Sequence, residues 1–185
     1  GGLGWWWHNP ADLPDKLDPD YVTRDTKIYT LVAARILGAV ALPFDYGATL
    51  DEWLGTLGSI QEKVGDKFDL STVISQAEEL KTLLGLLRRD NVSIDAARAI
   101  NRCVMKVGRA LVSVGFTRAG RFAQDPALGV PTLPDVSDAI KLSSLADDGD
   151  EARFLKVRLV RGRNRISAAL SEAASAVREV VELLN

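Results

Sequence analysis

The chain has 185 residues, of which 46% are hydrophobic and 26% are charged, and its net charge is −2. This composition is typical of one globular domain, or of a domain with an appendage, and it excludes wholesale disorder, a collagen-like repeat and a disulfide scaffold. The nearly balanced charge gives no basic footprint for nucleic acid. No apolar run approaches the roughly 20 residues that a membrane-spanning helix needs. With one cysteine and one histidine, the chain cannot build a complete His/Cys zinc site by itself.

Residues 1–19 differ from the rest of the chain because they have no helical period. They contain three of the four tryptophans, three prolines and the only histidine, His8. The glycine-rich start followed by Trp5-Trp6-Trp7 predicts the end of a strand entering a loop, since consecutive bulky apolar residues suit a strand buried on both faces. No partner strand follows in the sequence. We therefore interpret this segment as separated from the fold to which it belongs.

From Pro19 onward, apolar residues recur at helical spacing and predict four helices before about residue 115. Their expected limits are a cap at Asp20 and an end near Gly38, a start at Thr49 or Asp51 and a stop at Gly65, a start at Asp69 or Ser71, and a start at Ser93 with an end near Gly115. Each apolar stripe is predicted to face a core. In the first helix the stripe consists of Val22, Tyr29, Val32, Ala33, Ile36, Leu37 and Val40.

The remaining third of the chain contains a predicted loop and two predicted helices. Residues 115–134 are rich in glycine and proline, and a loop of this length often has a function or covers a partner surface. A short helix is expected at 134–145, and a last helix from about Glu151 to Leu184, where Gly162 permits a bend. Amphipathic stripes joined by short turns favour an all-α fold, a mostly antiparallel helical bundle. The last helix is apolar enough to serve as a subunit contact as well.

His8 is the one candidate for a metal ligand or a general base, although a lone histidine is more often structural. A set of aspartates follows it in a proline-rich stretch, where carboxylates favour helix caps and solvated charge over a cation site. These are Asp12, Asp15, Asp18, Asp20 and Asp25.

Other candidates for chemistry are weaker still. Six basic side chains between residues 153 and 165 are spread around the last predicted helix, which favours a solvated face with ion pairs over a nucleic-acid track. No phosphate-binding glycine loop and no GxSxG nucleophile motif occurs in the sequence. Cys103 has no histidine near it in the sequence, so we do not expect it to be a nucleophile.

The stretch GGLGWWWHNP at residues 1–10, with DKLD at residues 15–18, resembles a known family. It is similar to the C-terminal part of co-catalytic zinc exopeptidases of the glutamate carboxypeptidase and transferrin receptor group. Bacterial members of that group carry a stretch much like GGLGWWWH-T-P-x-D-x-x-D-K-x-D. In this chain Asn9 replaces the usual threonine, and Pro14 stands where leucine is common. The segments LPFD at 42–45 and LPDVSDAI at 133–140 are also similar to family segments, so the resemblance covers nearly the whole chain.

The resemblance implies two domains: residues 1–19 as a remnant of an α/β zinc peptidase domain, and residues 20–185 as a transferrin-receptor-like dimerisation domain. It implies that His8 is the last zinc ligand and that Trp7 lies beside the substrate. The implied parent is a metallopeptidase, a hydrolase that holds zinc, acts on peptides and forms a homodimer. Where carboxypeptidase relatives have a Lys-Tyr pair in a pocket loop, this chain has Ala127-Leu128, so a preference for an acidic C-terminal residue is not implied.

The family's other ligands (a His, a bridging Asp and paired Glu) and its general-base Glu would lie upstream of Gly1. We therefore expect this chain alone to be inactive and to hold no zinc, with the peptidase domain supplied upstream or by another chain. Two alternatives stay open. The chain is one half of a split peptidase, or it is a free-standing helical interaction module in which His8 is a relic. No nucleic acid and no membrane is expected as a partner.

Overall fold

The computed structural model describes residues 4–88, 92–118, 120, 123–124 and 129–185. Within these ranges the chain is all-helical and has no strand, so the predicted all-α class is confirmed. The helices are α1 (Pro19–Gly38), α2 (Tyr46–Val64), α3 (Ser71–Gly85), α4 (Ile94–Gly115), α5 (Pro134–Ser137) and α6 (Asp150–Leu184). Short 3-10 segments occur at Pro14–Lys16, Gly65–Lys67 and Asp138–Ser144. No helix in the described ranges has the length and apolar character needed to cross a membrane.

The chain divides into two compact units, Gly1–Pro43 and Phe44–Asn185. The second unit has a continuous core in which α6 contacts α3 and α4, and α2 contacts α3. Most residues of the predicted stripes of α2, α3, α4 and α6 are buried or packed against this core. Ile94 of α4 and Phe154 and Val160 of α6 are exposed, so the prediction that they face a core is wrong. Its largest fully buried side chains include Leu50, Trp53, Leu57, Leu80, Leu111, Ile166 and Leu170.

Local hydrogen bonds explain where the helices of the second unit begin. The Ser93 hydroxyl accepts from the Ala96 amide at 3.2 Å, which confirms the predicted start of α4. Helix α2 begins at Tyr46, before the predicted Thr49 or Asp51, because the Asp45 carboxylate accepts from the Gly47 amide at 3.0 Å. The predicted stop of α2 is confirmed: Gly65 has a φ of +55°, a conformation that strains residues with a Cβ.

Helix α1 of the first unit differs from its prediction in two ways. Its cap is Asp18, two residues before the predicted Asp20, because the Asp18 carboxylate accepts from the amides of Asp20 and Tyr21. No α1 residue is buried, so the prediction that its stripe faces a core is wrong for this chain. Tyr29 is 76% exposed and Leu37 is 86% exposed. Periodicity identifies an amphipathic face, but it does not say what covers that face.

The strand predicted at Trp5-Trp6-Trp7 is also wrong. The backbone instead forms successive turns, in which the Trp7 amide donates to the Gly4 carbonyl at 3.0 Å and the Asn9 amide donates to the Trp6 carbonyl at 3.1 Å. A strand is stable only when neighbouring strands take up its backbone hydrogen bonds, and the described residues contain none. Bulky apolar residues in sequence therefore did not suffice to define a strand.

Candidate functional site

Trp7 and His8 form the centre of the segment that precedes α1. Their rings stack with centroids 3.5 Å apart and planes inclined by 16°. Both side chains are exposed, and His8 has a φ of +60°, in the left-handed region that few residues with a Cβ adopt. The stack fixes the imidazole against an aromatic face. The His8 imidazole, for which the family resemblance implies the role of a zinc ligand, thus lies at the surface of this unit.

Asn9 closes the turn that carries this stack. Its side-chain amide donates to the Trp5 carbonyl at 2.7 Å, and its side-chain oxygen accepts from the Ala11 amide at 2.8 Å. These two bonds tie the chain on both sides of His8, and short polar side chains favour such local turns. Asn9, one of the two positions that depart from the family pattern, therefore has a clear structural role here.

The described residues do not complete a zinc site around His8. No group of three or more His, Cys, Asp or Glu side chains comes together anywhere in the described ranges, whereas zinc takes three or four protein ligands. The Asp12 carboxylate accepts from the backbone amide of His8 at 3.4 Å and not from its ring. Asp15 pairs with Lys16, and Asp18 caps α1. The aspartates after His8 thus serve local structure, as the sequence favoured.

A second feature is the corner where residues 133–135 lead into α5. Leu133 is fully buried with a φ of +53°, and its amide donates to the Gly115 carbonyl at 3.0 Å. Nη1 of Arg165 lies 2.5 Å from Oδ2 of Asp135, and Nη2 of the same side chain donates to the Ser113 carbonyl at 3.2 Å. One α6 side chain therefore joins the corner to the end of α4. The pair Ala127-Leu128 lies outside the described residues.

The six basic side chains of α6 between residues 153 and 165 are exposed or partly exposed, and two of them make contacts with residues distant in sequence. Besides Arg165, Arg163 donates to the Asp69 carbonyl at 2.8 Å and lies over the Phe68 ring, 5.3 Å from its centroid. These partners are distant in sequence, so periodicity did not reveal them. By contrast, Arg153 makes only an exposed contact of 3.6 Å with Asp150, as expected of a solvated charge.

Cys103 is buried between α4 and α6, where its thiol donates to the Ala176 carbonyl at 3.3 Å. Burial raises the pKa of this thiol above its usual value, since a charged thiolate is disfavoured away from water. The thiolate is the reactive form of cysteine. This geometry supports the expectation that Cys103 is not a nucleophile.

Two surface clefts lie among the described residues of the second unit. One, of about 530 Å³, lies beside α2, and the Thr132 hydroxyl donates there to the Glu52 carboxylate at 2.6 Å. The other, of about 620 Å³, lies along α4 and α6, with the buried Ala110 and Ala169 as its floor and the exposed Ala168 also lining it. Neither cleft was predicted from the sequence, because each is lined by residues far apart in the chain.

Comparison of the chain with protein-family models, curated proteins and solved structures gives no match in any of the three.

Proposed function

We propose that this chain is the C-terminal helical dimerisation domain of a zinc-dependent exopeptidase of the glutamate carboxypeptidase and transferrin receptor type, and that it is not catalytic alone. The observation that carries the proposal comes from the first unit, where the family-like WWWH segment at residues 5–8 precedes α1 and both expose apolar side chains. Trp5 is 74% exposed and Trp7 is 47% exposed. No residue of α1 is buried.

Exposed apolar surface of this extent favours a covering partner. Contiguous apolar patches on a protein surface usually mark an interface. Helix α1 exposes eight large apolar side chains, namely Tyr21, Val22, Ile28, Tyr29, Leu31, Val32, Ile36 and Leu37. In the proposed parent, the α/β peptidase domain covers this face and the tryptophans. His8 then contributes the last zinc ligand, and Trp7 lies beside the peptide substrate.

The proposed dimerisation role belongs to the second unit, as a mostly antiparallel bundle that associates with a second copy. This unit has a continuous core of its own, as a scaffold for an interface requires. Its longest helix, α6, exposes Phe154, Val157 and Val160 in its first half. Light scattering of the chain is expected to give the mass of a dimer. A monomer at high concentration contradicts this part of the proposal.

The parent enzyme is tested by reading the gene upstream of the Gly1 codon. An open frame that continues into the His, Asp and Glu ligands supports the proposal. A start codon immediately upstream contradicts it and favours a free-standing helical interaction module, which the self-contained core of the second unit allows. If a separate α/β chain co-purifies with this one, the split peptidase is favoured instead.

A further inference from the structure

The outward face of α4 carries an unusual stripe of residues. These residues are separated alternately by four and three positions, and this spacing places them on one side of the helix. All six are exposed, and they comprise three arginines and three apolar side chains, the last of which directly follows the end of α4: Arg98, Arg102, Met105, Arg109, Val112 and Phe116. Met105, Val112 and Phe116 are 43%, 51% and 47% exposed. The stripe is thus both cationic and apolar.

The stripe borders the 620 Å³ cleft along α4 and α6. Arg109 and Val112 belong to both, and Lys106 also lines the cleft. The alanine floor leaves room for a side chain to enter between the helices. Among the described residues that line the cleft, three cations (Lys106, Arg109 and Arg165) face one carboxylate, Glu172. An apolar floor with a cationic rim suits a ligand that is apolar on one side and acidic at its edges.

Two arginines of the α4 stripe, Arg102 and Arg109, have no ion-pair partner among the described residues, whereas Arg165 in the cleft is paired with Asp135. Arg98 pairs with Asp95 at 3.2 Å, and Lys106 lies 3.5 Å from a Glu179 oxygen. The described residues form no such pair with Arg102 or Arg109. These two lie seven residues apart on α4, or about 10 Å along its axis. Their guanidinium groups are therefore available for carboxylates two helical turns apart on a partner.

We propose that the α4 stripe and the adjoining cleft bind an acidic amphipathic helix from another protein. Apolar residues of that helix, repeating every three to four positions, would lie against Met105, Val112 and Phe116, with one seated in the cleft. Acidic residues beside them would pair with Arg102 and Arg109. Helix-in-groove recognition of this kind combines apolar anchors with complementary rim charges. The site is distinct from the proposed zinc-ligand segment, and its test does not depend on the peptidase proposal.

The probe is a fluorescein-labelled helical peptide of leucine, alanine and glutamate, with leucines at heptad spacing and glutamates flanking them. Fluorescence anisotropy is expected to show binding that weakens with added salt. The same peptide with lysine in place of glutamate is expected not to bind. Charge reversal in Arg102→Glu or Arg109→Glu is expected to weaken binding about tenfold each. Lys63→Glu, an equal charge change on α2, is the matched control and should leave binding unchanged.

Ala168→Trp fills the cleft from an exposed position of α6 and should weaken binding without altering the far-UV circular dichroism spectrum. If Arg109→Glu does not fold, Arg109→Gln gives the same test with a smaller expected loss. Equal binding of the acidic and basic peptides overturns the proposal. So does a change in oligomeric mass in Arg109→Glu, which assigns the stripe to a second copy. Tighter binding to phosphatidylserine vesicles than to the peptide, lost in Arg109→Glu, assigns it to a membrane and overturns the proposal as well.

Discussion

Gly162 and Asp135 approach so closely that no side chain fits between them. A Cβ at position 162 would lie 2.7 Å from both the Cβ and the carbonyl oxygen of Asp135. This contact brings the middle of α6 against the first turn of α5. Arg165, one turn further along α6, then reaches the Asp135 carboxylate. Gly162, through its lack of a side chain, and Arg165, through its charge, therefore both hold α6 against the corner at Asp135.

Gly162→Ala is expected to lower the free energy of unfolding by about 1–3 kcal/mol, because the added methyl forces a backbone shift in a packed region. Gly58→Ala on α2 is the matched control, since a Cβ there meets nothing within 4 Å. Replacing an open helical glycine by alanine raises stability by about 0.5–1 kcal/mol. In urea denaturation, the free energy of unfolding should therefore fall in Gly162→Ala and rise in Gly58→Ala. If both substitutions changed the free energy of unfolding in the same direction, the close contact at Gly162 would be contradicted.

Arg165→Ala is expected to lower the free energy of unfolding by about 1–3 kcal/mol, because Asp135 and the Ser113 carbonyl lose a charged donor. The Asp135 side chain is only 16% exposed, so water replaces this donor poorly. Arg153→Ala removes an exposed ion pair on the same helix and should change stability by less than about 0.5 kcal/mol. Equal effects in urea denaturation would show that the corner does not depend on Arg165.

Leu57 and Leu31 test the difference between the two units. Leu57 is fully buried in α2, and Leu57→Ala should lower the free energy of unfolding by about 2–5 kcal/mol. Leu31 is 52% exposed on α1, and Leu31→Ala should change it by no more than about 0.5 kcal/mol. Thermal or urea unfolding followed by circular dichroism measures both. A large loss in Leu31→Ala would mean that the α1 face is covered in the isolated chain.

Asp45 is expected to make the stability of the second unit depend on acid pH. The hydrogen bond from Arg88 lowers the pKa of Asp45 below its usual value. Because the folded-state pKa is the lower one, the stabilisation is complete above the unfolded pKa of about 3.9 and is lost as the pH falls through the folded-state value. Arg88→Met removes the main cause, so urea denaturation as a function of pH should show a shallower loss at acid pH. An unchanged acid limb would refute this origin.

The isolated chain is expected not to retain zinc through dialysis, because His8 has no cluster of further ligands among the described residues. Metal analysis after dialysis against a zinc-free buffer measures this. Stoichiometric zinc in the wild-type chain that is lost in His8→Ala would contradict the expectation. Zinc that remains in His8→Ala would point to a site elsewhere in the chain.

The identity and several limits of the helices could be predicted from the sequence, because the interactions that set them are local. The Ser93 hydroxyl caps a helix through an amide three residues away, and Gly65 ends one through its own φ. Helix α2 begins earlier than its apolar stripe predicts, because the Asp45 carboxylate caps it. The core stripe of α2 followed from periodicity alone, and so did most of the α4 stripe, of which only Ile94 at the start of the helix is exposed.

Tertiary structure decided which faces are covered and which charges are paired. The apolar residues of α1 have the same helical spacing as those of α2, yet no α1 residue is buried. Arg165 and Arg153 lie in similar sequence surroundings on the same helix. Arg165 pairs with Asp135, thirty positions away, whereas Arg153 stays exposed. The cleft along α4 and α6 exists only because the two helices meet. Whether a helix face is covered, a charge is paired or a cleft is enclosed depends on a second segment that is distant in sequence. No local sequence pattern gives the position of that segment, so only the tertiary structure decides these features.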